Sequence, residues 1–250
     1  TLGEGNPWLH STLLADPVAR HYGFRWLTDR IFHNALRAHA VVDPSVQDMM
    51  HINLHTNDDG WDMVGIENFS QTTVLAHFKD VANCMWDIFT ATQITDVHLQ
   101  QKVVQTNDML YNRVYDRLHD TSVCVLLRRY TMPNRVVFTR LFLRDDECFP
   151  LQSHELRPHG FGWTIMEHIA DDVTLYRSRL LHHVPVTVQG MIPLERSAQV
   201  FGVDATLPRP LLLERMQANA LRNLKHARDH TQRNLHDRLT ELERKNSAKV

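Results

Sequence analysis

The sequence predicts an α+β domain built on one antiparallel sheet. From about Asp96 to Thr187 the chain runs through six strand-like stretches, VHLQQKVVQT, DMLYNRVYDRL, SVCVLLRRYT, RVVFTRLFLR, GWTIMEHIA and VTLYRSRLLHHVPV, with turn or loop residues between them. Short connections between consecutive strands imply antiparallel pairing. Two stretches of helical spacing, separated by a hairpin-like segment, precede this region, and a long run of apolar residues in steps of three and four follows it.

Each element has a local reason. ADPVARHYGFRWLTDRIFHNALRAHA opens with Asp16 as N-cap and Pro17 at the first helical position, then repeats apolar residues at Phe24, Leu27, Ile31, Ala35 and Ala38. Residues 46–70 read as a hairpin around the turn-rich NDDG. TTVLAHFKDVANCMWDIFTAT returns to helical spacing, with Val74, Phe78, Val81, Met85, Ile88 and Phe89 on one side. The longest break in the strand region, DDECFPLQSHELRPHG, separates the fourth strand from the fifth. After Pro208 and Pro210 a final helix carries Leu213, Met216, Ala220, Leu224, Ala227, Thr231, Leu235, Leu239 and Leu242 on one stripe, with a possible coiled-coil continuation in residues 231–250. There is no internal repeat and no low-complexity segment.

Composition bounds the function. Of 250 residues 43% are hydrophobic and 22% charged, which is ordinary globular composition for one large domain or two small ones. The net charge is −2, but residues 211–250 hold nine Lys/Arg against five Asp/Glu, so the body is mildly acidic and its tail basic. Acids interspersed through that tail argue against nucleic acid and leave a helical protein partner, a homodimer through the C-terminal helix, or a transient contact with an acidic membrane. A solvated extension of the helix is the plain alternative. Cys84, Cys124 and Cys148 make an odd number without CxxC spacing, which suits a reducing, cytoplasmic setting. No run has the length of a membrane span, no secretory plan opens the chain, and a start at Thr1 suggests a segment of a longer protein. Among 17 histidines, the pairs His51/His55, His226/His230 and His182/His183 have no third ligand at metal spacing. No metal and no cofactor is expected.

The two late hairpins point to an interior. With Asp171-Asp172 as the turn and Ala170 opposite Val173, one face pairs Ile169/Thr174, Glu167/Tyr176, Ile165/Ser178 and Trp163/Leu180. That face is the more apolar, so Glu167 points inward unless the register is one residue out or the site lies at a wet edge. A buried carboxylate needs a partner. With Pro133-Asn134 at the other turn, Tyr130 opposes Val137, Arg128 opposes Thr139, Leu126 opposes Leu141 and Cys124 opposes Leu143. Arg128 then faces in as the natural partner of Glu167; the alternative is that Arg128 and Arg129 are both solvated and the interior is filled.

The order helix, hairpin, helix, six-stranded meander, long helix, together with GFGWTIMEHIADDVTLYRSRLLHHVPV and its Pro-punctuated sequel, resembles the helix-grip fold of StAR-related lipid-transfer (START) domains. It is similar to the START-like domain family of oomycete proteins, over roughly residues 16–230, with 231–250 as a helical basic tail. The resemblance implies a curved antiparallel β-sheet wrapped around a long C-terminal helix, with an internal cavity and a charged pair on its wall. The ligand-binding residues expected on this basis are Arg128 and Glu167 as the pair, Tyr176, Ser178 and His182 as further polar contacts, and Trp163, Ile165, Leu126, Leu141 and Leu180 as apolar wall. The expected function is non-enzymatic binding of a lipid or other apolar small molecule, as a sensing or regulatory module of a larger protein. The alternatives are a protein-interaction module using the C-terminal helix, or a cyclase- or hydrolase-like cavity enzyme in which Glu167 and His182 act as acid and base.

Overall fold

The structure, a computed structural model, describes residues 12–39, 46–60, 62–91 and 98–247. The expected strand start at Asp96 and the end of the tail beyond Ser247 lie outside them. In chain order the elements are β1 (Thr12–Leu13), α1 (Pro17–His39), β2 (Met49–Thr56), β3 (Met63–Val74), α2 (Phe78–Thr90), β4 (His98–Gln105), β5 (Met109–Asp116), β6 (Thr121–Thr131), β7 (Arg135–Leu143), β8 (Asp145–Asp146), β9 (Arg157–Ala170), β10 (Val173–Thr187), β11 (Gly190–Met191), α3 (Leu194–Val200) and α4 (Arg209–Ser247). The main sheet runs β2-β3-β10-β9-β7-β6-β5-β4, every neighbouring pair antiparallel, with β11 paired to β10. The early hairpin therefore joins the meander through β3 and β10, and a long helix lies against the resulting sheet. This is the helix-grip α+β arrangement.

Local signals account for the helices. The Ala19 N–H donates to Asp16 Oδ1 at 2.7 Å, capping α1 in front of Pro17. Phe24, Leu27, Ile31 and Ala35 are all buried against the sheet. The second helix begins later than its spacing suggests, at Phe78, because Thr72–Val74 continue β3 in register with β10. Two small strands, β1 and β8, pair with each other in parallel and bring Arg20 onto Asp146. The Arg20 guanidinium donates to both carboxylate oxygens at 2.8 and 2.7 Å, and the Tyr111 hydroxyl donates to the same group.

Both faces of the sheet are covered. On one, α1 packs over β6, β7 and β9, burying Phe24, Leu27, Ile31, Tyr111, Leu126, Leu141 and Phe161 in one cluster and Ala35, Val137 and Ile165 in another. The opposite face carries α2, α3 and α4. There Leu212, Met216 and Ala220 of α4 join Ile52, Ile66 and Val184, while Leu235 joins Phe78, Val81, Met85, Phe138 and Met166. The last helix runs unbroken through residues 230–231, and Leu224, Leu235 and Leu239 pack inside the domain. Three of the leucines that suggested a coiled-coil seam are thus already used by the fold. No helix among the described residues is long and apolar enough to cross a membrane.

The β6–β7 register is the one expected, Tyr130 opposite Val137 through Cys124 opposite Leu143. The β9–β10 register is not. Val173 opposes Ala170, but Thr174 then opposes His168, so Ile169 is an extra, bulged residue. Every later pair moves by one: Leu175 faces Glu167, Arg177 faces Ile165 and Arg179 faces Trp163. That single residue sends the two halves of the expected inner face to opposite sides of the sheet.

Candidate functional site

Because of the bulge, Glu167, Ile165 and Trp163 share the α1 side with Arg177, Arg179, Leu126, Arg128 and Leu141. Leu126, Leu141 and Ile165 are core residues beneath α1, and Trp163 packs partly buried beside them, so they do not form a cavity wall next to α4. Nor do Arg128 and Glu167 form a pair. Arg128 Nη1 meets Asp29 Oδ1 at 2.8 Å and its Nε lies 3.5 Å from Asp108 Oδ2, with the guanidinium over the Tyr130 ring. Glu167 bridges Arg135 at 3.0 Å and Arg177 at 3.6 Å. A carboxylate on a buried face did require cations; β7 and β10 supply them from the same side.

Tyr176, Ser178, Leu180 and His182 stand on the other face of β10 and line a cavity of about 430 Å³ between the sheet and α4. The helix is anchored at Ala220 and again at Leu235, and the fifteen helical steps from one to the other span roughly 22 Å at 1.5 Å per residue. The cavity lies beneath that span. Ile66, Asn68, Ser70, Thr72 and Val74 of β3 alternate onto it, α2 contributes Phe89, and α4 contributes Asn223, Leu224, Ala227, Arg228, Thr231 and Gln232. Gln232 donates to Thr72 Oγ1 at 3.2 Å, tying the helix to the sheet.

One cation on the sheet went unrecognised in the sequence. Arg140 of β7 faces the cavity, its guanidinium centred 4.2 Å from the middle of the Phe89 ring and its Nη2 donating to Thr164 Oγ1 at 3.2 Å. Thr164 in turn donates to Ser178 Oγ at 3.2 Å. Gly160 and Gly162 of β9 sit opposite Phe142 and Arg140 of β7 on one side and His182 and Leu180 of β10 on the other. A Cβ at Gly160 would collide with the Leu181 carbonyl, and one at Gly162 with the Arg179 carbonyl and Leu180. Strand alternation gives the signal for Arg140: it shares a face with Phe138 and Phe142, opposite to the face of Thr139 and Leu141. The polar row Asn68, Ser70, Thr72 and the small or polar residues Asn223, Ala227 and Thr231, one per helical turn, were equally legible.

The cavity is mostly apolar with a polar patch. Arg140 Nε and Asn68 Oδ1 are buried without a hydrogen-bond partner among the described residues. Burial, and next the charge of Arg140, push the His182 imidazole down to about 4, so it is neutral at pH 7. Its ring touches Phe142, centroids 4.9 Å apart. Arg140 and Arg228 are the charged lining residues, and no Asp, Glu or Cys is found among the described lining residues. No group of three or more His, Cys, Asp or Glu among the described residues is placed to hold a metal ion.

No protein-family profile matches the chain, and no curated protein matches it. Solved structures with a similar arrangement include human StAR-related lipid transfer protein 5 (10% identity, TM-score 0.44, covering 82% of this chain and 98% of that one). A STAR-related lipid transfer protein from Xanthomonas axonopodis has 13% identity and a TM-score of 0.43, covering 77% and 97%. The Zhui aromatase/cyclase from Streptomyces sp. R1128 has 15% identity and a TM-score of 0.40, covering 78% and 96%. All three TM-scores fall below 0.5.

Proposed function

We propose that this domain binds an apolar or amphipathic small molecule, such as a lipid, in the cavity between the sheet and α4, and releases it unchanged. The observation that carries this reading is the pairing of 430 Å³ of space with buried polar atoms left unpartnered on its wall, Arg140 Nε and Asn68 Oδ1. Small-molecule pockets commonly fall between about 300 and 1,000 Å³ and combine apolar walls with a few converging polar groups. Binding without turnover is favoured over a cyclase- or hydrolase-like reaction because no carboxylate or thiol is found among the described lining residues. Glu167 is on the far side of the sheet, so it has no access to His182 as an acid–base partner.

Uptake of the neutral fluorophore N-phenyl-1-naphthylamine tests the reading. The wild-type chain takes up about one equivalent with saturable fluorescence, and Ala227→Trp, which places an indole under the bridging helix, loses that signal while keeping the thermal midpoint. Absence of saturable uptake by wild type, or full uptake by Ala227→Trp, would contradict it.

A further inference from the structure

We infer that the ligand of this cavity is an amphiphile with an anionic polar end, and that the anion binds together with a proton taken up at His182. The inference rests on the small-molecule reading above and adds the charge class of the ligand and a coupling to pH.

The wall is electrostatically one-sided. Arg140 reaches it from β7 and Arg228 from α4, and His182 itself comes from β10. The neighbouring strand β3 sets Ile66 opposite His182 and the neutral amide of Asn68 opposite Leu180, and β9 offers no side chain at Gly160 or Gly162. The acids next in sequence to the lining residues Asn68 and Arg228 are committed elsewhere. Glu67 is on the α1 side of β3, bound to Arg179 and 3.5 Å from His55, and Asp229 holds Arg228 at 3.0 Å. His183 also points to the α1 side. Arg140, by contrast, meets only the neutral Thr164 hydroxyl and the face of Phe89, with no carboxylate within ion-pair distance among the described residues. A partly buried guanidinium without a counterion is costly, and an incoming carboxylate, sulfonate or phosphate ester relieves that cost with charge-assisted hydrogen bonds.

His182 is the second half of the device. Across the glycine notch its ring and the Arg140 guanidinium share one face with no side chain of β9 between them. No described residue hydrogen-bonds the ring, which touches Phe142. In the empty cavity, burial and the neighbouring guanidinium keep it neutral. An anion on Arg140 cancels that repulsion and gives an imidazolium a partner, so the complex holds a proton that the empty protein does not. By linkage, lower pH then tightens binding of the anion. If the anion restores the imidazole to its ordinary value near 6.5, affinity rises about tenfold between pH 7.5 and pH 5.5.

Two probes of nearly the same shape separate the possibilities. 8-Anilinonaphthalene-1-sulfonate is anionic at every pH used, whereas N-phenyl-1-naphthylamine has the same ring system without the sulfonate. Both are titrated into the full chain at pH 7.5, 6.5 and 5.5, with circular dichroism confirming the folded state at each. The expected result is a Kd for the sulfonate that tightens about tenfold by pH 5.5, a Kd for the neutral probe that does not move, and a flat sulfonate profile in His182→Gln, with His182→Phe as the second variant. Arg140→Gln weakens the sulfonate more than the neutral probe. A pH-independent sulfonate Kd, equal pH responses of the two probes, or a slope that survives both His182 variants overturns the proton coupling while leaving small-molecule binding intact. Failure of both probes to bind at any pH instead overturns the small-molecule reading, and this inference with it.

Discussion

Lowering the pH from 7.5 to 5 should remove about 4 kcal/mol of folding stability through one pair of residues, His159 and His183. They oppose each other on β9 and β10 with stacked rings 5.3 Å apart at 27°, and they are only 3% and 4% exposed. Both ring nitrogens of His183 and Nδ1 of His159 lack a hydrogen-bond partner among the described residues. Burial first, then the charge of its neighbour His183 and of Arg144, pushes His159 down to about 3; burial and His55 push His183 down to about 4. In the unfolded chain each imidazole titrates near 6.5. Between that value and the folded ones the unfolded state binds more protons, so stability is complete above about pH 6.5 and falls as the pH drops. At pH 5 each ring has lost about 1.5 pH units of linkage, roughly 2 kcal/mol, or about 4 kcal/mol for the pair. Burial raises the Asp146 and Glu67 carboxyls, but bonds from Arg20 and from Arg179 outweigh it and hold both below the ordinary carboxylate range. Their stability is lost only as the pH falls below about 4, outside the window tested. Urea unfolding followed by tryptophan fluorescence at pH 7.5, 6 and 5 measures the loss; the double change His159→Leu with His183→Leu should remove the pair's share and leave a smaller slope of about 2 kcal/mol from His182, whose imidazole is also held down to about 4. A free energy that stays level down to pH 5, or a slope unchanged in the double variant, would refute the reasoning.

Two further substitutions test the polar contacts that hold the sheet and its helices together. Asp146→Asn strips the counterion from Arg20, which is 8% exposed, and should cost about 3–5 kcal/mol, read as a fall in the urea midpoint with the m-value unchanged. Glu167→Leu leaves Arg135 and Arg177 without their shared carboxylate and should cost about 2 kcal/mol; adding Arg128→Leu should give no rescue, because Arg128 answers to Asp29 and Asp108. In that cycle the two losses add to within about 0.5 kcal/mol, and a coupling above 1 kcal/mol would show that the pair interacts after all.

Most of the architecture was legible because the strands keep period two and the helices keep steps of three and four. All six late strands, the β6–β7 register and the Asp16–Pro17 helix start follow from local chemistry that the tertiary fold does not override. The site was half legible for two physical reasons. A one-residue bulge at Ile169 reverses every later face assignment, and nothing in the alternation around Ala170–Val173 marks it. The second reason is that α1 buries the other face of the sheet, so the apolar side carrying Trp163, Ile165 and Leu126 is a true core face that is not the cavity face. When both faces of a sheet are covered, hydrophobicity stops distinguishing them. Tyr176, Ser178 and Leu180 are placed on the inner face by cross-strand pairs that the bulge dissolves, His182 is expected only through the resemblance, and Arg140 lies with Phe138 and Phe142 on the face of β7 away from Thr139 and Leu141, where charged and apolar residues mix. A mixed face is what a ligand cavity with a polar patch presents.

The central claim, that the space under α4 belongs to a small molecule, is tested most directly by native mass spectrometry of the protein as purified, followed by extraction and identification of what leaves it. One equivalent of an amphiphile with an acidic polar end, released on collisional activation and missing from Ala227→Trp, is the result expected. A bare mass in both proteins, with no mass shift after incubation with a fatty acid, would contradict it.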